Sequence, residues 1–179
     1  MKLNKIMVAA VMSLGVSSFA FAEQGSGKVT FTGSIIDAPC SISPESVDQT
    51  VELGQISNVA LKNGGKSEPR PFSIDLENCS FESAAEGGVQ KNKVTVTFTG
   101  MESSDGLLAI TGTAKGAGIA ITDGAGEVIS LGQPTTPQTL QQGKNTLSFA
   151  AYMQGDTKQG AVITEGSFQS VADFTLAYN

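Results

Sequence analysis

Apolar and polar side chains alternate with a period of two along most of the chain, as they do in strands that bury one face. The clearest stripes lie within residues 72–76, 94–98 and 147–153. A longer stripe runs to the end of the chain, where one face carries Phe168, Ala172, Phe174, Leu176 and Tyr178. Shorter candidate strands are residues 50–53, 107–110, 119–122 and 127–131. Since no helical periodicity extends beyond about two turns, the pattern predicts an all-β chain.

Turn signals that contain glycine separate these stretches. They are Asn63-Gly64-Gly65, Glu86-Gly87-Gly88, Asp105-Gly106, Asp123-Gly124 and Gln142-Gly143. Amphipathic strands of this number, joined by tight turns, are typical of a two-sheet β-sandwich of immunoglobulin type. The chain has no Trp, so the Cys…Trp…Cys pattern of true immunoglobulin domains is missing and the predicted likeness is one of architecture.

The first 22 residues predict a secretory signal peptide. Lys2 and Lys5 precede an apolar stretch over residues 6–21, and Ala20-Phe21-Ala22 fits a cleavage site. A transmembrane helix is the alternative, but it needs about 20 apolar residues, and serines and glycine dilute this stretch. We therefore expect an exported chain that begins at Glu23 after cleavage.

Export gives the two cysteines, Cys40 and Cys79, a simple interpretation. An oxidising compartment favours a disulfide between the only such pair in a chain. The alternative, a catalytic thiol, has no His anywhere in the chain to activate it. We expect a structural disulfide.

The composition disfavours several classes of function. The net charge is −6 and no run of Lys or Arg occurs, so nucleic acid is an unsuitable partner. The absence of His excludes His-based catalytic couples and His-ligated metals. Gly25-Ser26-Gly27-Lys28 lacks the spacing of a phosphate-binding loop, and we expect no cofactor. A pair of carboxylates for glycoside hydrolysis is not visible from sequence and stays open, but we expect no enzyme.

The stretch after the predicted cleavage site also carries an alternating stripe, but this one contains a Gly. Val29, Phe31, Gly33 and Ile35 alternate with Thr30, Thr32 and Ser34. An ordinary edge strand is one interpretation. However, a Gly within an apolar strand face often marks the close approach of another chain segment, and a strand that ends the sequence can lack a neighbour on one side.

Motifs along nearly the whole chain point to one family. They are GKVTFTGSIIDAPC (27–40), LGQ (53–55), FSIDLENC (72–79), VTVTFTG (94–100) and the stretch 164–178. The same pattern includes the penultimate Tyr178, Gly166 as the fourteenth residue from the end, and the spacing of Cys40 and Cys79. On these features the chain resembles the major pilins of the chaperone–usher pathway of Gram-negative bacteria, closest to the P-pilus rod type.

The resemblance implies an incomplete immunoglobulin-like β-sandwich that lacks its last strand and is completed by donor-strand exchange. It divides the chain into a signal peptide (1–22), an N-terminal donor extension (23–36) and a pilin domain (37–179). A periplasmic chaperone fills the groove first, an outer-membrane usher receives the subunit, and the extension of the next subunit then replaces the chaperone in a surface fimbria. The implied donor residues are Gly27, Val29, Phe31, Gly33 and Ile35. The implied acceptor-groove and chaperone-binding residues are Gly166, Phe168, Phe174, Leu176 and Tyr178.

Two other functions stay open at this point. One is a minor adaptor or terminator pilin of the same pathway, which the motifs do not separate from a major subunit. The other is a free secreted sugar-binding β-sandwich, although such sites usually expose aromatic side chains and Tyr152 and Tyr178 are the only tyrosines. An adhesin of this pathway would need an additional lectin domain, for which the chain is too short.

Overall fold

The computed structural model describes residues 27–81, 92–158 and 160–179. The predicted signal peptide and the Glu86-Gly87-Gly88 turn lie outside these residues. The chain divides into two compact units, Met1–Ile36 and Asp37–Asn179. In the first unit, residues 27–36 form no regular secondary structure.

The second unit is built almost entirely of β-strands, as the alternating pattern predicts. Its strands are β1 (Ser41–Ile42), β2 (Arg70–Cys79), β3 (Lys93–Gly100), β4 (Leu108–Ala109), β5 (Thr111–Gly112), β6 (Ala117–Asp123), β7 (Gln138–Thr139), β8 (Gly143–Gly155), β9 (Phe168–Gln169) and β10 (Ala172–Tyr178). Helix α1 (Pro44–Val47) is one turn long, and a 3₁₀ turn covers Lys62–Gly64. The latter contains the predicted Asn63-Gly64 turn, in which both residues have positive φ.

The strands form two main sheets and a small pair. The five-stranded sheet has the order β1-β2-β8-β6-β4, the three-stranded sheet has the order β10-β3-β7, and β5 pairs with β9. All these pairings are antiparallel. The predicted all-β, immunoglobulin-like sandwich is therefore confirmed.

The core lies between the two main sheets, because each contributes the apolar face of its alternating strands. Ile74 on β2 and Leu147 on β8 are fully buried, and Val96 on β3 faces them within the same cluster. Three aromatic rings pack together at the centre. The ring centroids of Phe98 and Phe149 lie 5.1 Å apart, edge to face, and Phe72 stacks on Phe149 at 5.5 Å, both favourable aromatic geometries.

The disulfide between Cys40 and Cys79 is present, which confirms that expectation. Cys40 precedes β1 and Cys79 ends β2, two strands that are also paired by main-chain hydrogen bonds. The bridge therefore fixes the beginning of the second unit to the five-stranded sheet.

Three strand predictions are wrong. The terminal stripe is interrupted at residues 170–171, so that β9 pairs with β5 while β10 pairs with β3. Residues 127–131 form only an isolated bridge between Val128 and Thr122 instead of a strand. Residues 50–53 form no strand, although their burial alternates as predicted, with Val51 and Leu53 half-buried. Side-chain alternation alone does not create a strand, because a strand also needs a hydrogen-bonded neighbour.

Within the described ranges, no helix has the length and apolar character needed to cross a bilayer. The same residues contain no cluster of acidic or cysteine side chains arranged to hold a metal ion.

Candidate strand-binding groove

An open groove of about 1110 Å³ lies on the second unit. Two stretches of chain line it, residues 46–56 and residues 163–174. Between them the lining is mainly apolar and comes from both sheets: Phe72, Phe98, Leu108, Ile110, Ile119, Ile121, Ala151 and Met153. The groove therefore opens onto the sandwich core, where an incoming apolar side chain would find apolar neighbours.

Strand β10 borders this groove and is an edge strand of its sheet. Its pairing with β3 brings Asn179 opposite Lys93, and the two exchange main-chain hydrogen bonds of 2.9 and 3.1 Å. Such pairs alternate along an antiparallel ladder. The odd-numbered residues of β10 therefore bond to β3. The N–H and C=O groups of Phe174, Leu176 and Tyr178 point to the opposite side, where no strand of the described chain pairs with β10.

The free edge and the apolar face of β10 belong to the same residues. Phe174, Leu176 and Tyr178 are half-buried, whereas Asp173, Thr175 and Ala177 between them are exposed. An added strand that bonded to these main-chain groups would therefore also place every second side chain against the core.

The structure brings together part of the predicted acceptor set. Gly166, Phe168 and Phe174 line the groove, and the Phe174 ring lies 6.4 Å from that of Phe98. Leu176 and Tyr178 follow on the same face of β10, but they pack partly against the core instead of lining the groove. This burial raises the pKa of the Tyr178 hydroxyl above its usual value. Strand binding by all five residues stays a prediction.

Gly166 allows one side of the groove, residues 163–169, to pack closely against residues 111–115. Its φ of +151° disfavours other residues, and a Cβ there would meet Thr113 Oγ1 and lie 2.8 Å from the Ala114 nitrogen. Next to it, the Ser167 carbonyl oxygen accepts hydrogen bonds from the N–H groups of Thr113 (3.0 Å) and Ala114 (3.1 Å). The missing side chain thus allows residues 163–169 to lie directly on residues 111–115.

The opposite side of the groove was not recognised from sequence as part of the site. It begins at α1, where the Ser46 hydroxyl accepts a hydrogen bond from the Asp75 N–H (2.9 Å). Further along, the Asn58 side-chain amide donates to Glu165 Oε1 across 2.8 Å and links the two sides. The alternation of Val51 and Leu53 was the available signal, since its apolar residues face the groove although they have no strand partner.

The predicted donor residues lie in the first unit, where their side chains are exposed. The exposed fractions are 74% for Val29, 90% for Phe31 and 103% for Ile35. An ideal Cβ on Gly33 or on Gly27 would have no heavy atom within 4 Å. Among the residues that the structure describes, nothing therefore requires a Gly at position 33, and its predicted close approach to another subunit stays a prediction.

Comparison with known proteins gives one consistent result. The family model described as fimbrial protein matches residues 29–179. The chain is 61% identical to the Fimbria A protein of Serratia marcescens, over 99% of both chains. It is 49% identical to the Major MR/P fimbria protein of Proteus mirabilis, again over 99% of both.

The fold agrees with these sequence relationships. A chain in the solved structure of a chaperone–usher pilus superposes with a TM-score of 0.78 at 37% identity, which covers 87% of this chain and 97% of that one. The predicted resemblance is confirmed, and the chain belongs to the fimbrial protein family.

Proposed function

We propose that this protein is the major structural subunit of a surface fimbria and polymerises head to tail by donor-strand exchange. Residues 27–36 of one copy add to the free edge of β10 in the next copy and fill its groove. The observation that carries the proposal is the open apolar groove beside an edge strand, in a chain that also has an exposed amphipathic segment.

The dimensions and chemistry of the two parts match. Ten extended residues span about 33 Å, enough to cover the seven residues of β10 and continue along the groove. Burial of Val29, Phe31 and Ile35 would contribute about 1.5–3 kcal/mol for each side chain, before the costs of association. Thr30, Thr32 and Ser34 would face away from the core, as suits their polarity.

This geometry leads to an open fibre. The donor and acceptor surfaces differ, so each added subunit offers a new free groove or a new free extension. Heterologous contacts that do not close on themselves build filaments. A rod of this kind on the cell surface supports adhesion as a structural shaft, a role that requires no catalytic group.

Before assembly, the same groove must be covered while the subunit is exported. We infer that the signal peptide over residues 1–22 directs the chain to the periplasm. There a chaperone covers the β10 edge, which would otherwise be a template for uncontrolled pairing. An outer-membrane usher then exchanges the chaperone strand for the extension of the next subunit.

A matched pair of substitutions tests the donor role. Phe31→Asp places a carboxylate on the apolar face of the extension, and we expect it to abolish fibres because a charge would enter an apolar groove. Thr32→Asp places the same group on the polar face and should leave assembly intact. Electron microscopy of sheared surface material and the amount of polymer measure the result. Equal assembly by both variants would contradict the proposal.

A deletion separates donation from acceptance. A chain that lacks residues 23–33 keeps its groove, so it should accept a strand but offer none. Expressed alone it should yield no fibres. Expressed beside the natural chain it should be found only at the first position of a fibre, where its groove accepts a strand and no extension is needed. Fibres of normal length made only of the deleted chain would refute donation by this segment.

A further inference from the structure

The two sides of the groove are joined to the rest of the fold in different ways. Residues 163–169 are well bonded, because Thr164 and Lys115 exchange main-chain hydrogen bonds of 2.9 and 3.2 Å and the Ser167 carbonyl oxygen accepts two more. Residues 48–56, on the opposite side, form no regular secondary structure. Within the part of the chain that the structure describes, their backbone groups take part in no main-chain hydrogen bond. One side of the groove is therefore fixed, and the other is an unpaired segment.

The unpaired segment, residues 48–56, is held mainly near its ends. At its start, Gln49 Nε2 donates a hydrogen bond to the Ser73 carbonyl oxygen (3.0 Å). Beyond its end, the side chain of Leu61 is buried. The apolar side chains between these points are half-buried and line the groove: Val51, Leu53 and Ile56. Because burial of apolar surface is favourable, an empty apolar groove would draw these side chains inward unless another contact held the segment back.

Among the described residues, one side-chain hydrogen bond joins the unpaired segment's end to the fixed side. The Asn58 amide nitrogen donates to Glu165 Oε1 over 2.8 Å. Both residues line the groove, with Asn58 half-buried and Glu165 exposed. We propose that this bond holds residues 48–56 at the separation from residues 163–169 that admits a strand. Asn58 and Glu165 are then positioning residues, which act on an incoming strand through the width of the groove. The proposal rests on strand acceptance by this groove, as proposed above.

Loss of the bond should change how often the groove is open. When the binding-competent state is only partly populated, the apparent affinity for a ligand falls by that fraction. An incoming strand should therefore associate more slowly with a groove that its own apolar side chains cover part of the time. Once bound, the strand itself keeps the two sides apart, so its dissociation rate should not change. Slower association with unchanged dissociation distinguishes positioning from direct contact with the strand.

Substitutions of equal length separate the bond from the residues that form it. Asn58→Asp places a second carboxylate against Glu165, and two like charges at this distance repel each other. Glu165→Ala removes the acceptor without adding a charge. Glu165→Gln keeps an acceptor oxygen for the Asn58 amide. When Glu165→Gln is combined with Asn58→Asp, the direction of the bond is reversed, because the Gln amide can donate to the new carboxylate.

The experiment measures strand uptake by the full chain. Every variant also carries Phe31→Asp, which should prevent the chains from donating to one another. The probe is a fluorescent synthetic peptide with the sequence of residues 27–36. Fluorescence anisotropy gives its association rate constant, and a chase with unlabelled peptide gives its dissociation rate constant. Circular dichroism checks that each variant is folded.

Asp105→Asn is the matched control. It weakens another hydrogen bond of a carboxylate, the one to the Thr157 N–H (3.0 Å), at a residue that does not line the groove. A general effect of losing such a bond would appear in this variant too, whereas an effect on the width of the groove would not.

We expect Asn58→Asp and Glu165→Ala each to lower the association rate constant roughly tenfold, as fits the loss of one hydrogen bond to a charged group. Dissociation should be unchanged in both. The combination of Asn58→Asp with Glu165→Gln should associate as fast as Glu165→Gln alone, and Asp105→Asn should associate as fast as the chain that retains Asn58 and Glu165.

The other outcomes separate the positioning role from strand acceptance. Unchanged or faster association in Asn58→Asp and Glu165→Ala, no recovery in the combined variant, an equal loss in Asp105→Asn, or faster dissociation would each overturn the positioning role and leave strand acceptance standing. No binding of the peptide by the chain that retains Asn58 and Glu165 would overturn strand acceptance itself, and the positioning role with it.

Discussion

Replacement of Gly166 by Ala is the sharpest test of how the groove is built. The added Cβ would collide with Thr113 Oγ1 and lie 2.8 Å from the Ala114 nitrogen and 2.9 Å from the Thr113 carbonyl carbon. These last two are backbone atoms, which cannot rotate away. In addition, the φ of +151° is rarely adopted by a residue with a side chain.

Both effects lower the free energy of unfolding. Backbone strain of this kind costs about 1–3 kcal/mol, and overpacking against fixed atoms typically costs a similar amount. Together we expect a loss of roughly 2–6 kcal/mol, which is a large share of the stability of a domain of this size. Because residues 163–169 form one side of the groove, strand acceptance and fibre yield should fall as well.

The assay is thermal and denaturant unfolding of the purified protein, with fibre yield from cells beside it. Gly132→Ala is a control for backbone strain, since Gly132 has a φ of +73° but no heavy atom within 4 Å of the added Cβ. Gly124→Ala has an ordinary φ and a nearest contact of 3.5 Å, so its effect should be within about 0.5 kcal/mol. A Gly166→Ala variant as stable as Gly124→Ala would refute the reasoning.

Three further predictions concern the body of the fold. Replacing both Cys40 and Cys79 by Ala should lower the free energy of unfolding by about 4 kcal/mol through the lost loop constraint, measured by denaturant unfolding; an unchanged midpoint would contradict this. Phe149→Ala should cost about 3–5 kcal/mol because the ring is buried between two others, and a loss below 1 kcal/mol in the same assay would show that the cluster is loosely packed. The Asp105 carboxylate accepts hydrogen bonds from the backbone N–H and the hydroxyl of Thr157. These bonds, chiefly the one from the backbone N–H, lower the pKa of Asp105 below 3.8. Since the folded pKa lies below the unfolded one, this contribution is present above the unfolded pKa and is lost as the pH falls through the folded value. Asp105→Asn should therefore flatten the acid-side decline in unfolding free energy, and an identical pH profile would contradict the assignment.

Local patterns predicted the central strands because the stretches in which apolar and polar residues alternate also have neighbouring strands to which they hydrogen-bond. Strands β2, β3 and β8 each lie between two neighbouring strands of their sheets. Each stretch with an apolar stripe is therefore also hydrogen-bonded as a strand. The stretch 50–53 has the stripe without the neighbour and forms no strand. The terminal stripe is divided because Ser170 bonds to the Ala109 carbonyl (2.6 Å) and the chain changes partner there. Such partner changes depend on distant residues and have no local signal.

The candidate site was predicted only on the side for which the resemblance implied strand-binding residues. Gly166 and Phe174 were expected from the C-terminal pattern, and both line the groove. The residues that open onto the core, such as Ile121 and Met153, are indistinguishable from ordinary core residues in the sequence. Their role depends on which strand is missing from the sheet beside them, and that is a property of the fold.

The central claim is that the fold is completed by a strand from another copy, and self-complementation tests it most directly. A second copy of residues 27–36, joined after Asn179 by a short flexible linker, can return antiparallel along β10 and fill the groove of its own chain. An intramolecular donor avoids most of the entropy lost on association. We predict a monomer in size-exclusion chromatography, a much higher Tm than that of the natural chain under the same conditions, and no polymerisation. An equal Tm, or continued polymerisation of the complemented chain, would show that the groove is not the site of strand exchange and would contradict the account.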